Sequence, residues 1–419
     1  MKAVGRTHGV RRIDLSSVQL ASSEVAREIN RDIVLELIRL RQPVSRVDLT
    51  KLSGLQPSTI GAIVEQLIEE GWVSQGAVVQ GSRGRPSIML AVNDAIVTFA
   101  LDLRPDRAIL AVVDLSGRFL SRETVMTVSD AQSTVDRIVR KITFLRTRHA
   151  DKSFEGIGVC VPGRVDPATQ RILLAPNLQW HAFDLRAALE KAAKLTVEMD
   201  NDANACLLSE SWNGHLAGVR DVVLVAISEG IGTAILAGGQ LHSGFQGLAG
   251  EFGHIPIDPT GPVCGCGQRG CWEMLASSRA ALHYYRELSP RSPVIDIYHL
   301  LRLTEEGDKH AIAAVTRQAQ ALGKGLRLIT AALAPELILI TGEITSCWHH
   351  FGPIIQAELE ATMLAGPAPK LATAGDGELA RLQGAAAVLL QRHASYHRST
   401  HSPRAERKVP SNALVPSPV

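Results

Sequence analysis

The segment from Gly250 to Glu273 constrains the fold of this chain more than any other, because it places one histidine and three cysteines within eighteen residues. The four side chains are His254, Cys264, Cys266 and Cys271. One imidazole and three thiolates fill a tetrahedral zinc shell and leave no position for water, which is typical of a structural ion. A disulfide or three unrelated thiols are the alternatives, but Cys264 and Cys266 are too close in the chain to bridge comfortably. The spacing therefore predicts a structural zinc ion that orders a glycine-rich loop.

Two motifs in this segment resemble those of the ROK family, a group of sugar kinases and repressors (repressor, open reading frame, kinase). GEFGH at residues 250–254 matches the family's GExGH, and CGCGQRGCWE at residues 264–273 matches CxCGxxGCxE. The resemblance implies that His254 ligates zinc while its ring faces a sugar, and that Glu251 and Glu273 bind sugar hydroxyls. Carboxylates suit this role because they accept hydrogen bonds from hydroxyl pairs. The alternative for either glutamate is a solvated surface charge.

Length and composition set broader limits on the kind of protein. A chain of 419 residues is expected to hold two or three domains, and a net charge of +2 neither supports nor excludes nucleic-acid binding. No apolar run approaches the ~20 residues that span a bilayer, and the basic N-terminus lacks the apolar stretch of a secretory signal. Half of the six cysteines belong to the predicted zinc site, which favours a cytoplasmic protein without membrane contact. Cys160, Cys206 and Cys347 are expected to be buried as small apolar side chains.

Four regions are predicted along the chain. Residues 1–22 and 393–419 are expected to be flexible tails, because they are polar and hold too few apolar residues to order themselves. Residues 23–87 are predicted to form a winged helix-turn-helix with a linker, and residues 88–392 a sugar-binding domain. The resemblance to the ROK family covers most of residues 23–392.

The first domain shows the periodicity of three short helices followed by a wing. Apolar residues at helical spacing mark the first helix, a capping box at Ser45 and Asp48 opens the second, and Pro57 fits the first turn of the third. Alternation after Trp72 predicts a two-stranded wing. The apolar positions are Ile29, Ile33, Leu37 and Leu40 in the first helix and Ile60, Ile63, Val64, Leu67 and Ile68 in the third. A plain packing module is the alternative to a DNA-binding winged helix.

Two groups of residues in this domain are predicted to contact DNA. The first group lies off the apolar stripe of the third helix and comprises Gln56, Ser58, Thr59 and Ala62. Ala62 and Glu65 depart from the usual winged-helix pattern, where a long basic or polar side chain would be more useful. The second group is Arg83 and Arg85, in a segment (residues 81–86) similar to one that ROK repressors carry at this join. Two arginines flanked by glycine and proline can enter an A·T-rich minor groove, although a flexible interdomain linker is the alternative.

The remaining chain shows mixed α/β character. Short apolar runs alternate with helical stretches, as expected of buried strands, and cover residues 98–103, 108–114, 156–161, 196–199, 222–228 and 337–341. The ROK resemblance goes further than this periodicity. It implies an α/β, two-lobed, actin-like ATPase fold of the ROK sugar-kinase type, with the sugar bound between the lobes.

Further sugar contacts follow from the same resemblance. Asn201 and Asp202 lie in a segment (residues 200–204) that is similar to the family's NDAN element. Asn201 would bind a hydroxyl, and in a kinase Asp202 would take the proton from the attacking hydroxyl. The alternative for Asp202 is a cap for the next helix. Gly163 and Asn177 belong to two further segments that resemble ligand-lining ones.

Three elements that should hold the phosphates of ATP are degenerate. The family's first element reads like DxGGT, whereas residues 102–106 read DLRPD, in which Pro105 has no backbone N–H and Asp106 adds negative charge. The second element has a carboxylate in SEGIGT at residues 228–233, and the third, TGE at residues 341–343, lacks a glycine triplet. Phosphate cradles are built from the N–H groups of glycine-rich turns, so these changes predict that ATP binding is lost.

Together these features predict a sugar-responsive, DNA-binding transcriptional regulator, in the first place a repressor, of carbohydrate uptake or catabolism genes. A homodimer or tetramer would bind operator DNA, and a sugar or sugar phosphate would alter the spacing of its DNA-binding heads. No catalytic residue is expected, because Asp202 would remain only as a vestigial base. One alternative is an ATP-dependent sugar kinase with an appended DNA-binding domain. Another is an interaction protein controlled by sequestration, without direct sugar sensing.

Overall fold

The computed structural model describes residues 23–79, 86–175, 178, 180, 183–293, 296–361, 366–375 and 377–399. The chain divides into two compact units. The first ends at Asn93 and is grouped with residues 394–419, and the second comprises residues 94–393. Within the described ranges, no helix has both the length and the apolar character needed to cross a bilayer.

Three helices and a small antiparallel sheet make up the N-terminal unit. In chain order the elements are α1 (Ser23–Arg41), β1 (Val44–Ser45), α2 (Arg46–Ser53), α3 (Pro57–Glu69), β2 (Val73–Val79) and β3 (Ser87–Val92). The predicted capping box opens α2, because the Ser45 hydroxyl accepts from the Asp48 N–H and the Asp48 carboxylate accepts from the Ser45 N–H. Gly54 ends α2 with a φ of 71°, a left-handed conformation that favours glycine. The helix-turn-helix geometry thus follows from local sequence signals.

The apolar residues that marked α3 in the sequence are its buried ones, whereas those that marked α1 are mostly not. The predicted stripe of α3 is confirmed, with Ile60, Ile63, Val64 and Leu67 buried. The predicted helix α1 is confirmed, but the apolar residues that marked it are not its buried face: Ile29, Ile33 and Leu40 are exposed, and Val34 and Ile38 are buried. Both faces of α1 carry apolar residues at helical spacing. Only packing against α2, α3 and β3 decides which face is buried.

The wing corrects the predicted domain boundary. β3 pairs antiparallel with both β2 and β1, so the sheet has three strands in the order β1-β3-β2. Residues 88–92 therefore belong to the N-terminal unit and not to the sugar-binding domain. Val79 pairs with Ser87, so the strands on either side of residues 80–86 pair with each other. Arg83 and Arg85 themselves lie outside the described residues.

The second unit is built on two five-stranded sheets with the same topology. The strands of the first sheet are β4 (Ile96–Leu103), β5 (Arg107–Asp114), β6 (Phe119–Met126), β7 (Ser153–Val161) and β10 (Val197–Asn201), and a two-stranded hairpin of β8 (Arg164–Val165) and β9 (Ile172–Leu174) lies beside it. The second sheet contains β11 (Val222–Ile227), β12 (Ile231–Ala237), β13 (Gln240–Leu241), β14 (Leu337–Gly342) and β15 (Lys370–Thr373). In each sheet three antiparallel strands are followed by two parallel ones, in the orders β10-β7-β4-β5-β6 and β13-β12-β11-β14-β15. All six predicted strands are confirmed.

Helices cover these sheets. They are α4 (Ala131–Arg148), α5 (Leu185–Ala193), α6 (Asp202–Trp212), α7 (Trp272–Ala276), α8 (Ser278–Leu288), α9 (Ile297–Glu305), α10 (Lys309–Leu333), α11 (Trp348–Glu360) and α12 (Gly377–Ser399). Short 3-10 turns span Phe245–Gly247, Glu251–His254 and Glu343–Cys347. The large core of the second sheet packs α7, α8, α10 and α11 around the buried indole of Trp272, whose Nε1 donates to Ala321 O at 2.9 Å. Cys160, Cys206 and Cys347 are buried, as predicted.

The last helix connects the cores of the two sheets and corrects a predicted boundary. Leu382 and Ala385 of α12 pack in a cluster with Ala100 and Cys160 of the first sheet, and Ala380 packs with residues of the second. The predicted tail begins at residue 393, but α12 continues to Ser399. No glycine or proline follows Gly384 until Pro403, so nothing in the backbone stops the helix at residue 393.

Candidate functional site

The four predicted zinc ligands converge in the second unit. His254 ends the 3-10 turn Glu251–His254, Cys264 and Cys266 lie in the following loop, and Cys271 immediately precedes α7. His254 Nδ1 lies 3.4 Å from Cys264 Sγ, and Cys266 Sγ lies 3.6 Å from Cys271 Sγ. All four donor atoms fall within 4.8 Å of one another. Bonds of ~2.1 Å to nitrogen and ~2.3 Å to sulfur place tetrahedral ligands about 3.5–3.8 Å apart, so this Cys3His cluster has the dimensions of a metal site.

The glycines of this loop differ in what they contribute. Gly270 is required, because a Cβ there would lie 1.5 Å from the carbonyl oxygen of Asp258. Gly267 has a φ of 91°, which only glycine adopts readily. Gly265 has neither constraint. Two of the three glycines therefore let the backbone close around the ligand cluster.

The three thiols of the cluster differ in acidity. Burial raises the pKa of Cys264 and of Cys271, because a thiolate is poorly solvated there. A backbone hydrogen bond from Gln268 lowers the pKa of Cys266, the exposed cysteine of the three. A divalent cation would stabilise the thiolate form at all three positions.

The two predicted sugar-binding glutamates flank the ring of His254. Glu273 Oε1 lies 3.5 Å from His254 Nδ1 and 3.0 Å from Cys264 Sγ, and its side chain is largely buried. Glu251 Oε2 lies 3.8 Å from His254 Nε2, and its side chain is 43% exposed. The imidazole thus presents Nδ1 to the cysteines and Nε2 to an exposed carboxylate. This arrangement lets one ring take part in a metal site and in a hydroxyl-binding site.

Arg164 is a site residue that the sequence analysis missed. Its Nη2 lies 2.7 Å from Glu251 Oε1 and joins the β8–β9 hairpin to the 3-10 turn. Its position could have indicated a role in the site, since Arg164 directly follows Gly163 in a segment that resembles ligand-lining ones. Gly163 itself is needed for close packing, because a Cβ there would lie 2.3 Å from Leu174 O. Arg164 therefore orients the carboxylate, and Gly163 permits the hairpin that carries the arginine.

Asn201 and Asp202 lie where β10 meets α6. Asn201 caps α6 through Oδ1, which accepts from Ala203 N at 2.9 Å, and its Nδ2 donates to Gly163 O at 2.8 Å. Burial raises the pKa of Asp202, although Arg381 acts in the opposite direction. A Cβ on Gly232 would lie 3.9 Å from Asp202 Oδ1, so Asp202 adjoins the second predicted phosphate element. Asn177 lies outside the described residues.

Two arginines fill the first predicted phosphate element. The buried carboxylate of Asp102, in β4, accepts from Arg104 Nη2 at 2.7 Å and from Arg381 Nε at 3.1 Å. Arg104 Nη2 also lies 3.4 Å from Glu378 Oε2. Arg381 was missed in the sequence, where its signal was a single arginine within an otherwise apolar stretch of α12. In the third element, Glu343 accepts from Ser278 Oγ at 2.8 Å, so a carboxylate is anchored there as well.

The predicted DNA-reading residues form the outer face of α3. Gln56, Ser58 and Ala62 are exposed and Thr59 is half-buried, opposite the packed stripe. Glu65, which departs from the winged-helix pattern, is paired with Arg46 of α2 at 2.6 Å. Arg46 therefore offsets the negative charge of Glu65 on the outer face of α3.

Comparison with known proteins decides the family. The model of the ROK family matches residues 98–392. The chain belongs to the ROK family. It is 30% identical to the xylose repressor of Bacillus subtilis strain 168 over 331 residues, which is 78% of this chain and 85% of that repressor.

Two solved structures show that the ROK chain is similar to both regulators and kinases. A ROK family transcriptional regulator, a homolog of the E. coli Mlc protein, matches with a TM-score of 0.74 and 27% identity over 88% of this chain and 99% of its own. A ROK glucokinase from Streptomyces griseus, solved with glucose and AMPPNP, matches with a TM-score of 0.63 and 28% identity over 70% of this chain and 99% of its own. The actin-like fold is common to regulators and kinases, and the regulator matches more of this ROK chain.

Proposed function

We propose that this ROK protein is a sugar-responsive transcriptional repressor and not a sugar kinase. One observation carries the proposal: a three-helix winged unit precedes a sugar-kinase-like body whose first phosphate element is filled by Arg104 and Arg381. The repressors and the regulator among its relatives support this function. A sugar or sugar phosphate would bind near His254 and release the protein from operator DNA.

The electrostatics of the phosphate elements argue against ATP turnover. In a kinase the first element must present free backbone N–H groups to phosphate. Here the backbone N–H of Arg104 donates instead to Arg107 O at 2.8 Å, and Pro105 has none. The Asp102 carboxylate is paired with two guanidinium groups, and Asp106 is paired with Arg107 at 2.9 Å. A triphosphate would therefore find no cradle of N–H groups in the first element, and the Glu343 carboxylate would repel it in the third.

We propose that the Cys3His cluster holds a structural zinc ion. His254, Cys264, Cys266 and Cys271 would occupy all four tetrahedral positions, so the ion would bind no substrate. Its role would be to hold His254 and Glu273 in the geometry that accepts sugar hydroxyls. Gly163, Asn177, Asn201 and Asp202 remain proposed parts of the same sugar site, with Asp202 as a hydroxyl ligand and not as a base.

The function is tested by coupling DNA binding to sugar binding. Duplexes selected from a random DNA library with the full-length protein would be titrated with and without a panel of pentoses, hexoses, amino sugars and their phosphates. Xylose is the first sugar to test, because of the xylose repressor relative. The proposal requires that one member of the panel weaken DNA binding at least about tenfold, or ~1.4 kcal/mol. Selection of no DNA sequence at all would contradict it.

We expect no phosphoryl transfer from Mg-ATP to any sugar of the panel, because the phosphate contacts that stabilise the transition state are absent. Coupled assays would follow ADP release, with a ROK glucokinase measured in parallel as positive control. The kinase alternative would be supported by turnover above background that disappears in Asp202→Asn, since Asp202 would be the base of such a kinase.

The double substitution Arg83→Ala and Arg85→Ala is expected to weaken DNA binding and to flatten its salt dependence by up to about two units of slope, because fewer counterions are released. Fluorescence anisotropy at several salt concentrations measures both quantities. Arg118→Ala with Arg122→Ala, two arginines of the second unit, serves as the charge-matched control. Equal slopes of the salt dependence for the Arg83/Arg85 variant and the wild type would mean that residues 81–86 do not contact DNA.

A further inference from the structure

A second group of metal-binding side chains lies apart from the Cys3His cluster. Glu305 is the last residue of α9, and His349 and His350 lie in the first turn of α11. One donor atom from each falls within 4.8 Å of the others. Their side chains are exposed, and none of the three belongs to the sugar site or to the phosphate elements.

The two imidazoles face a single carboxylate oxygen. His349 Nε2 lies 3.7 Å and His350 Nε2 lies 3.9 Å from Glu305 Oε2, and the two ring centroids are 4.0 Å apart. With bonds of ~2.0–2.2 Å, tetrahedral nitrogen and oxygen ligands stand about 3.4 Å apart. The two distances from the imidazoles to Glu305 Oε2 are a few tenths of an ångström longer. Small rotations of exposed side chains therefore suffice to close the three donors around one ion.

The backbone segments that carry Glu305, His349 and His350 pack against the core. The 3-10 turn Glu343–Cys347 packs on α9, and both Ile344 and Cys347 of this turn are buried. The Cys347 thiol lies 3.9 Å from Leu301 O of α9. Phe351, directly after His350, is also buried. Donors carried by packed helix ends lose little freedom on binding an ion, which favours a real site over a transient one.

We propose that Glu305, His349 and His350 form a second metal site that binds one divalent transition-metal ion of the zinc type. Two imidazoles and one carboxylate suit zinc, nickel or copper and disfavour magnesium and calcium, which prefer oxygen ligands alone. Three protein ligands leave at least one tetrahedral position open to water or to a ligand from outside the chain. The site therefore differs in kind from the closed Cys3His cluster.

A metal-free ion pair is the competing explanation of the same geometry. Such a pair requires a protonated imidazole beside Glu305, and two charged rings whose centroids are 4.0 Å apart would repel each other. A single dication bound by two neutral rings satisfies all three donors at once. The two explanations differ in whether the side chains bind added metal.

The test is a zinc titration of the full-length protein, purified with its first ion in place. Calorimetry of the wild type is expected to show one further equivalent of Zn²⁺, bound more weakly than the first ion. Glu305→Gln, His349→Ala and His350→Ala should each weaken that binding at least about tenfold, because each removes one of three ligands. Elemental analysis should still find the first ion in every variant.

His283→Ala is the matched control. His283 and Glu287 form a comparable exposed pair on α8, with Nε2 and Oε1 3.3 Å apart, but no third donor of the described residues joins them in a metal cluster. This variant should bind the second equivalent as the wild type does. The proposal is overturned if the wild type takes up no second ion. It is equally overturned if Glu305→Gln and His350→Ala bind that ion unchanged, which would place it elsewhere, for example on the histidines near the C-terminus.

Discussion

Cys266→Ser is expected to abolish binding of the proposed structural zinc and to loosen the loop from Gly250 to Glu273. Cys266 Sγ lies 3.6 Å from Cys271 Sγ within the Cys3His cluster, and a serine hydroxyl is a poor zinc ligand. Binding of structural zinc contributes ~10–16 kcal/mol in small zinc-binding peptides, so even a partial loss is large compared with the stability of a domain. Zinc content is expected to fall from one ion per chain to below about a tenth of that.

Elemental analysis of the dialysed protein measures this loss, and proteolysis measures the loosening of the loop. Cys206→Ala provides the control, because Cys206 is a buried cysteine outside the Cys3His cluster and its replacement should leave zinc content unchanged. Full zinc occupancy in Cys266→Ser would overturn the assignment of this ligand. Cleavage should concentrate between residues 250 and 273, since the rest of the body has its own cores.

Glu251→Gln is expected to abolish the response to sugar while leaving DNA affinity within about twofold of the wild type. A charged hydrogen bond contributes ~1.5–3 kcal/mol, so loss of the carboxylate should weaken sugar binding roughly 10–150-fold. The substitution also breaks the ion pair with Arg164, which orients the side chain beside His254 Nε2. DNA affinity should persist because Glu251 belongs to the second unit and not to the winged helix.

The experiment is a DNA titration of each variant with and without the inducing sugar. Glu287→Gln is the matched control, since Glu287 is a similarly exposed glutamate paired with an arginine, Arg317, at 3.0 Å. That variant should respond to sugar as the wild type does. A normal response of Glu251→Gln would place the effector site elsewhere, whereas a loss of DNA binding without sugar would point to a folding defect.

Local signals in the sequence are sufficient to predict the elements whose contacts lie within a few residues of the chain. The capping box at Ser45, the left-handed turn at Gly54 and the apolar stripe of α3 depend on neighbours within a few residues, so their predictions are confirmed. The Cys3His cluster is similar, because its ligands lie within one short segment whose glycines permit tight turns. The six predicted strands are confirmed because buried strands are continuous apolar runs.

Long-range packing decided what the sequence left open. The two sheets repeat one topology although the sequence shows no internal repeat, because strand order depends on pairing between distant segments. The same holds for the wing, where pairing of β3 with β1 moved the domain boundary past Val92. Arg164 and Arg381 escaped prediction because their partners, Glu251 and Asp102, are 87 and 279 residues away in the chain.

The sequence by itself therefore determined three features of this ROK protein: the residues of the Cys3His cluster, the helices of the winged unit, and the departures of the predicted phosphate elements from the family's glycine-rich pattern. Only the tertiary structure decided which charged side chains form ion pairs. It pairs Arg104 and Arg381 with Asp102, and it turns the apolar positions of α1 at Ile29 and Ile33 outward. The physical reason is that local periodicity sets the type of an element, whereas burial and ion pairing depend on surfaces that only folding brings together.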